Sequence, residues 1–385
     1  MLLRLDEMPR TVGVLLLLAV LLAAGCAPVL RSPYREFAEV ESILESYRER
    51  GAFPGGVLAV GDREGLIHLH PFGRQSYDEN APPVTAATLY DLASLTKVVA
   101  TTTMAMILVD EGRLDLDRQV RDFLPGFQSG AVTVRHLLSH SSGLPALAPF
   151  FKEIRGKAAY VERIQAMDLV YPPGSRSIYS DPGVILLGEI LEQIAGEPLD
   201  AFVRRRVLEP LGMKDTMYLP PPGLLPRIAP TEFDPWRGRL VHGEVHDENA
   251  LAMGGIAPHA GLFSTAGDLS RFAQMMLNGG IGGVVSPETI ELFTRKAGIP
   301  ESDRALGWDT KSAEGSSAGT LLSSSSFGHT GFTGTSMWID PERQIYLILL
   351  TNRVHPTREN NLIREARPAV ADAVVRALSP AKRIL

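Results

Sequence analysis

Ser94-Leu95-Thr96-Lys97 sets a hydroxyl and an amine three residues apart, a spacing that brings both onto one face of a helix. An amine so placed can take a proton from the hydroxyl and make a nucleophile of it. Leu92 to Val109 (LASLTKVVATTTMAMILV) contains Lys97 as its only charged residue, between Asp91 and Asp110. A helix apolar on nearly every face belongs inside a core, and burial of the ammonium predicts a lowered Lys97 pKa, suited to proton transfer. The same spacing recurs at Ser379-Pro380-Ala381-Lys382, where the proline and the tail position argue against a buried helix. Two other short groups carry chemistry. Tyr179-Ser180-Asp181 follows a Pro-Gly turn and precedes Pro182-Gly183, which places it in a loop. His329-Thr330-Gly331 follows a serine-rich stretch and precedes two β-like runs.

These groups need elements to hold them. The run FAEVESILESYRERG reads as an amphipathic helix closed by Gly51. Gly56 to Gly61 and Leu66 to Leu69 read as strands around a polar turn, and Thr335 to Ile339 and Gln344 to Leu350 as a second pair joined by Asp340-Pro341-Glu342-Arg343. Between them, Leu116 to Ala250 is rich in helical patterns with Pro/Gly breaks, Ser264 to Asn278 and Ala366 to Leu378 read as helices, and Ser312 to Ser326 as a mobile loop. Strands at both ends of the chain and helices in the middle predict an α+β fold. Its antiparallel sheet comes from N- and C-terminal segments and is flanked by helices, with an inserted helical lobe. The expected division is a sheet lobe at 37–115 and 251–380 and a helical lobe at 116–250, with the site in the cleft between them.

The chain has 385 residues, 45% hydrophobic and 21% charged, which rules out a disordered protein. With 38 Lys+Arg against 44 Asp+Glu it has no basic footprint for nucleic acid. A single cysteine excludes a disulfide scaffold. That cysteine, Cys26, follows the 13-residue apolar run Val12 to Ala24, too short for a stable membrane span of about 20 residues. Arg4 and Arg10 precede the run, as in a signal peptide. Ala23-Ala24-Gly25-Cys26 resembles a bacterial lipobox, so residues 1–25 are expected to be removed, Cys26 lipidated, and residues 26–36 to tether an extracytoplasmic domain to a membrane. Asp6 and Glu7 sit oddly in a positive leader, and initiation at Met8 would remove them.

Two histidine groups invite a metal reading. His136 and His140 stand four apart without the glutamate of an H-E-x-x-H site, and His242, His246, Asp247 and Glu248 form a polar cluster. The first is assigned a structural role and the second a place in a cleft-lining or solvated loop. His259 has no assigned role, and neither a metal nor a cofactor is expected.

Ser-x-x-Lys, then Tyr-x-Asp, then His-Thr-Gly, in that order, resembles the penicillin-recognising serine hydrolases, which include class C β-lactamases, D-Ala-D-Ala carboxypeptidases, D-aminopeptidases and related esterases. TLYDLASLTK, TVRHLLSHSSGLP, YPPGSRSIYSDPG, HAGLFSTAGDLSRF and GHTGFTGTSMWIDPE look like the same family, over roughly Phe37 to Leu378. The resemblance implies that Ser94 is acylated, that Lys97 and Tyr179 move the proton, and that the backbone N–H groups of Ser94 and Phe332 form an oxyanion hole. It implies that Asp181, His329, Thr330 and Gly331 face the substrate, a cell-wall peptide or a β-lactam-like amide. Two departures matter. Many relatives have Asn where Asp181 stands; an ionised carboxylate only accepts hydrogen bonds, so Asp181 is expected to pair with Lys97 and keep it charged. His329 replaces a common lysine and is largely neutral at pH 7 without a partner. Both changes predict slow or no penicillin turnover. A short-acyl esterase and a non-catalytic penicillin-binding or sensor protein are the alternatives.

Overall fold

The computed structural model describes residues 37–379 except Ile281; the expected signal peptide, Cys26 and Lys382 lie outside the described residues. Helix α1 (Ala38–Glu49) leads into β1 (Gly55–Asp62) and β2 (Leu66–Gly73). The chain returns to the same sheet only at its other end, with β3 (Asp309–Thr310), β4 (Phe327–Thr330), β5 (Ser336–Asp340) and β6 (Ile345–Thr351). All pairings are antiparallel, in the order β2-β1-β6-β5-β4-β3. The centre is the β1–β6 ladder, which runs from Gly56 opposite Thr351 to Asp62 opposite Ile345.

Both faces of the sheet are covered, and alternation along each strand sorts the side chains. Val57, Ala59, Ile348, Leu350, Met337 and Ile339 point into the larger core, shared with the buried helices of the middle of the chain. Leu58, Val60, Leu347, Leu349 and Trp338 point the other way, against α1 and the C-terminal helix. Because both faces of the central strands β1, β5 and β6 are buried, these strands are mostly apolar rather than alternating, whereas the edge strand β2 is largely half-buried or exposed.

The lysine-bearing segment is buried as expected. A π-helical stretch, Lys97–Thr102, with every residue buried, continues into α2 (Thr103–Asp110); such widened turns are frequent at functional sites. Helix α3 (Asp181–Ala195) follows Tyr179, α4 (Ala266–Leu277) packs on the sheet, and α5 (Ile363–Leu378) closes the fold. A small sheet pairs Leu262–Ser264 with Tyr90–Asp91 and Met217–Tyr218.

Three sequence expectations change. The segment from Leu116 to Ala250 is less helical than its pattern, with long irregular stretches between short helices. Phe327–Thr330 is a strand, missed because four residues including Gly and His carry no strand signal. The serine-rich segment is pinned rather than loose: Asp372 accepts from Thr320 and Leu321, and Asp340 from Ser323. Among the described residues no helix is long and apolar enough to cross a membrane.

Candidate active site

Ser94 stands just after a strained turn. Ala93 has φ +46°, a left-handed conformation that costs a residue with a Cβ about 1 kcal/mol. Buried Asp91 holds the turn: one carboxylate oxygen accepts from the Ala93 N–H at 2.8 Å and the other from the His246 N–H at 2.6 Å. Burial pushes the Asp91 carboxyl up against these bonds. Ser94 itself is half-buried, open on two sides.

Lys97 Nζ lies one turn further. It donates to Ser94 Oγ at 2.9 Å and to the His259 carbonyl at 2.9 Å, and pairs with Asp181 Oδ1 at 2.8 Å. The lowered pKa expected for Lys97 is therefore wrong. Burial does push the ammonium down, but Asp181 and Tyr179 outweigh it and raise the group to about 12, as the expected Asp181 pairing requires. Nζ also lies 4.9 Å from the Tyr179 ring centroid.

The start of α3 fixes Tyr179 and Asp181. Ser180 caps the helix, its Oγ accepting from the Gly183 N–H at 3.2 Å and donating to the Pro145 carbonyl at 2.7 Å. The Ser180 N–H donates to His140 Nδ1 at 3.0 Å, and the His140 ring lies 4.5 Å from that of Tyr179. The Tyr179 hydroxyl is buried without a well-formed hydrogen bond. Burial pushes the phenol up, against the pull of Lys97 and Ser94, so the resting site holds a phenol beside an ammonium.

The third wall is the β4–β5 connection. Thr333 Oγ1 donates to the Asp91 carbonyl at 2.7 Å, and Thr335 Oγ1 to the Leu92 carbonyl at 2.9 Å, so this loop is tied to the backbone just before Ser94. Arg353 Nε donates to the Phe332 carbonyl at 2.8 Å and Arg367 to the Gly331 carbonyl at 2.8 Å. Among the described residues neither the Ser94 nor the Phe332 N–H donates a hydrogen bond. Both residues line each of the two cavities around Ser94.

Those cavities differ in chemistry. One, of ≈ 320 Å³, is lined by Tyr179, His329, Thr330 and Gly331 together with Arg304, Arg353, Arg364 and Arg367, against Asp309 as the only acid. His329 is buried beside Arg304 and Lys97, and burial first and these charges second hold it well below the ordinary histidine value, hence neutral. The other, of ≈ 430 Å³, has an apolar wall of Leu147, Pro149, Phe151 and Phe332 and a polar floor of His246, Asp247, Glu248 and Arg358.

Ser94, Lys97, Tyr179, Asp181, His329, Thr330, Gly331 and Phe332 thus converge. His246 and Asp247 line the cleft; His259 binds Asp247 at 3.0 Å and lends its carbonyl to Lys97. His242 is turned aside, its Nε2 2.7 Å from the Ile228 carbonyl. His136 accepts the Thr133 N–H in a capping box while His140 buttresses Tyr179, so the two do not act as a pair. His140 has the structural role its sequence suggested, now located beside Tyr179, whereas the part played by Asp91 and by the arginines escaped the sequence reading, because each acts through a partner distant in sequence.

An antiparallel sheet of chain-end strands, with a serine, a lysine and a tyrosine meeting beside it, defines the β-lactamase/transpeptidase-like fold. The family model described as Beta-lactamase matches residues 40–372, and the chain belongs to that family and is a hydrolase of it. It is 34% identical to a protein of Escherichia coli O157:H7 named "Putative D-alanyl-D-alanine carboxypeptidase", over 94% of this chain and 96% of that one. It is 33% identical to the N-acetylmuramyl-L-alanine amidase of Bacillus subtilis (strain 168), over 83% and 82%. Among solved structures, the hydrolase EstCE1, with promiscuous acyltransferase activity, superposes with TM-score 0.73 at 22% identity (89% of this chain, 99% of that one). A penicillin-binding protein homologue from Caulobacter crescentus gives 0.72 at 23% (89% and 98%). These two likenesses concern the fold.

Proposed function

We propose that the protein is an extracytoplasmic acyl-enzyme serine hydrolase that cleaves a cell-wall peptide next to a free carboxylate. The observation that carries this is the cavity with four arginines opening directly onto Ser94. A leaving group with a C-terminal carboxylate suits it, since guanidinium recognises carboxylates in bidentate fashion. The name of the E. coli relative agrees in substrate class. A lipidated Cys26 would hold the enzyme at the membrane, close to that substrate.

In this reading Ser94 Oγ attacks the amide carbonyl while its proton passes to the Tyr179 oxygen in its ionised form, which the Lys97 charge stabilises. The carbonyl oxygen develops its charge towards the Ser94 and Phe332 N–H groups. The C–N bond breaks as the amine takes up the proton, and water then releases the acyl group by the reverse relay. Both proton-transfer groups rest protonated, so the reactive form grows with pH. We expect kcat/KM to rise through the neutral and mildly alkaline range without an early plateau; a flat profile from pH 6 to 9 would contradict the relay.

Asp181 cannot donate to a substrate carbonyl, so penicillins should acylate Ser94 and turn over slowly. Intact-mass spectrometry after incubation with a penicillin tests both steps: a gain of one penicillin on the wild type and none on Ser94→Ala is expected. No gain on either, with a chromogenic β-lactam left intact, would move the weight to the second reading. That reading is a short-acyl esterase, favoured by the apolar wall at Leu147, Phe151 and Phe332. Ester turnover abolished in Ser94→Ala would exclude an idle sensor.

A further inference from the structure

Glu41 projects from α1 towards the outer edge of the sheet, where His68-Leu69-His70 lies in β2. Residues two apart on a strand share a face, so both imidazoles meet the same carboxylate. Glu41 Oε1 is 3.3 Å from His68 Nε2 and 3.4 Å from His70 Nδ1, and the three ligand atoms lie within 4.8 Å of one another. No other group of three such side chains converges this way among the described residues.

We propose that Glu41, His68 and His70 bind a zinc ion that clamps α1 to the sheet edge. Two observations favour a metal over a plain ion pair. A charge-assisted N–H···O contact closes to about 2.7–2.9 Å, and neither contact here does. Ligands about 2.0–2.1 Å from a tetrahedral zinc instead stand about 3.3–3.4 Å apart, the separation seen from Glu41 to each ring. Secondly, His68 Nε2 is buried with no hydrogen-bond partner, a state that buried polar atoms rarely keep without a ligand.

The rings are held in place for the task. Phe37, at the foot of α1, stacks on His68 at 4.1 Å and 5°, His68 on His70 at 5.8 Å and 10°, and His70 on Phe72 at 5.9 Å and 14°. Glu45, one turn beyond Glu41, is taken by Arg48, which leaves the fourth position to water. Two histidines and a glutamate are ligands zinc accepts, in the tetrahedral geometry that three protein ligands and a water complete. The ion's work is structural: it would join α1 to β2, at the opposite end of the sheet from His329 in β4.

The test uses the full-length protein stripped with chelator and titrated with Zn²⁺ alone, with bound metal counted by mass spectrometry. One ion per chain is expected, with a higher melting midpoint than in chelator. His70→Gln and Glu41→Gln, both at partly exposed positions, should each weaken zinc by at least the roughly tenfold that losing even an outer-shell partner of a ligand costs. Their metal-free melting and Ser94 chemistry should match the wild type's. Failure of the wild type to bind stoichiometric zinc, or a smaller loss in either variant, would show an ordinary His–Glu contact and overturn the proposal. The proposed hydrolase activity is untouched by either result.

Discussion

Asp181 decides how Lys97 behaves. The carboxylate 2.8 Å away is the largest influence opposing burial of the ammonium. Because the lysine is raised above its unfolded value, its pairing contributes fully below the ordinary lysine pKa and fades only as pH climbs through about 12. At neutral pH, Asp181→Asn should therefore cost about 3 kcal/mol in urea unfolding, the usual result of leaving one partner of a buried pair alone. Burial would then act on Lys97 unopposed by that charge, and the Tyr179 phenol, which Asp181 also pushes up, should ionise more readily, so the kcat/KM profile should level off at lower pH than in the wild type. Unchanged stability together with an unchanged profile would refute this account. The sequence showed which residues to watch here, and their pairing, yet misjudged the lysine: burial was legible from the apolar helix, whereas the balance of burial against a carboxylate 84 positions away depends on a distance.

At the scale of elements, the proposed chemistry needs the β4–β5 connection at a fixed height above Ser94. Thr333 and Thr335 set it through the Asp91 and Leu92 carbonyls. Gly331 permits it, because a Cβ there would overlap the Leu92 carbonyl and the Thr335 hydroxyl. Gly331→Ala should lift the loop and carry the Phe332 N–H away from Ser94. A displacement of about 1 Å commonly costs about 100-fold in rate. We expect kcat/KM to fall by that order while substrate affinity changes little; a variant as active as the wild type would show that the loop has slack. Most long elements were legible because their apolar periodicity is strong: α1, β1, β5, β6 and α4 fall within a few residues of their expected limits. Phe327–Thr330 was not, since a short strand is specified by its neighbours. Nor did the serine-rich stretch reveal that Asp340 and Asp372 would pin it.

The whole molecule is a sheet covered on both sides, and that is measurable strand by strand. Ile348 and Leu349 are adjacent in β6, at 0% and 1% exposure, and face opposite cores. Truncating either to alanine should cost about 2–5 kcal/mol, despite the period of two that would put one of them in water in a two-layer protein. A loss below about 1 kcal/mol for Leu349→Ala would mean that α1 and α5 cover that face loosely. The α+β class and the origin of the sheet in both chain ends could be read from strands clustering at the two termini. The back layer was less evident, because α1 and α5 each carry only a narrow apolar stripe and gain their meaning from each other.

The β1–β6 ladder also orders events in time. Gly56 pairs with Thr351 across almost the whole chain, and contacts so far apart in sequence form slowly. While the polypeptide is still being made, β1 and β2 can make only a lone hairpin, which is marginal in water, and the loop that brings Phe332 beside Ser94 has not yet arrived. A chain of this design cannot assemble its candidate site until its last strand is made, so on the proposed reading Ser94 stays idle in every incomplete copy.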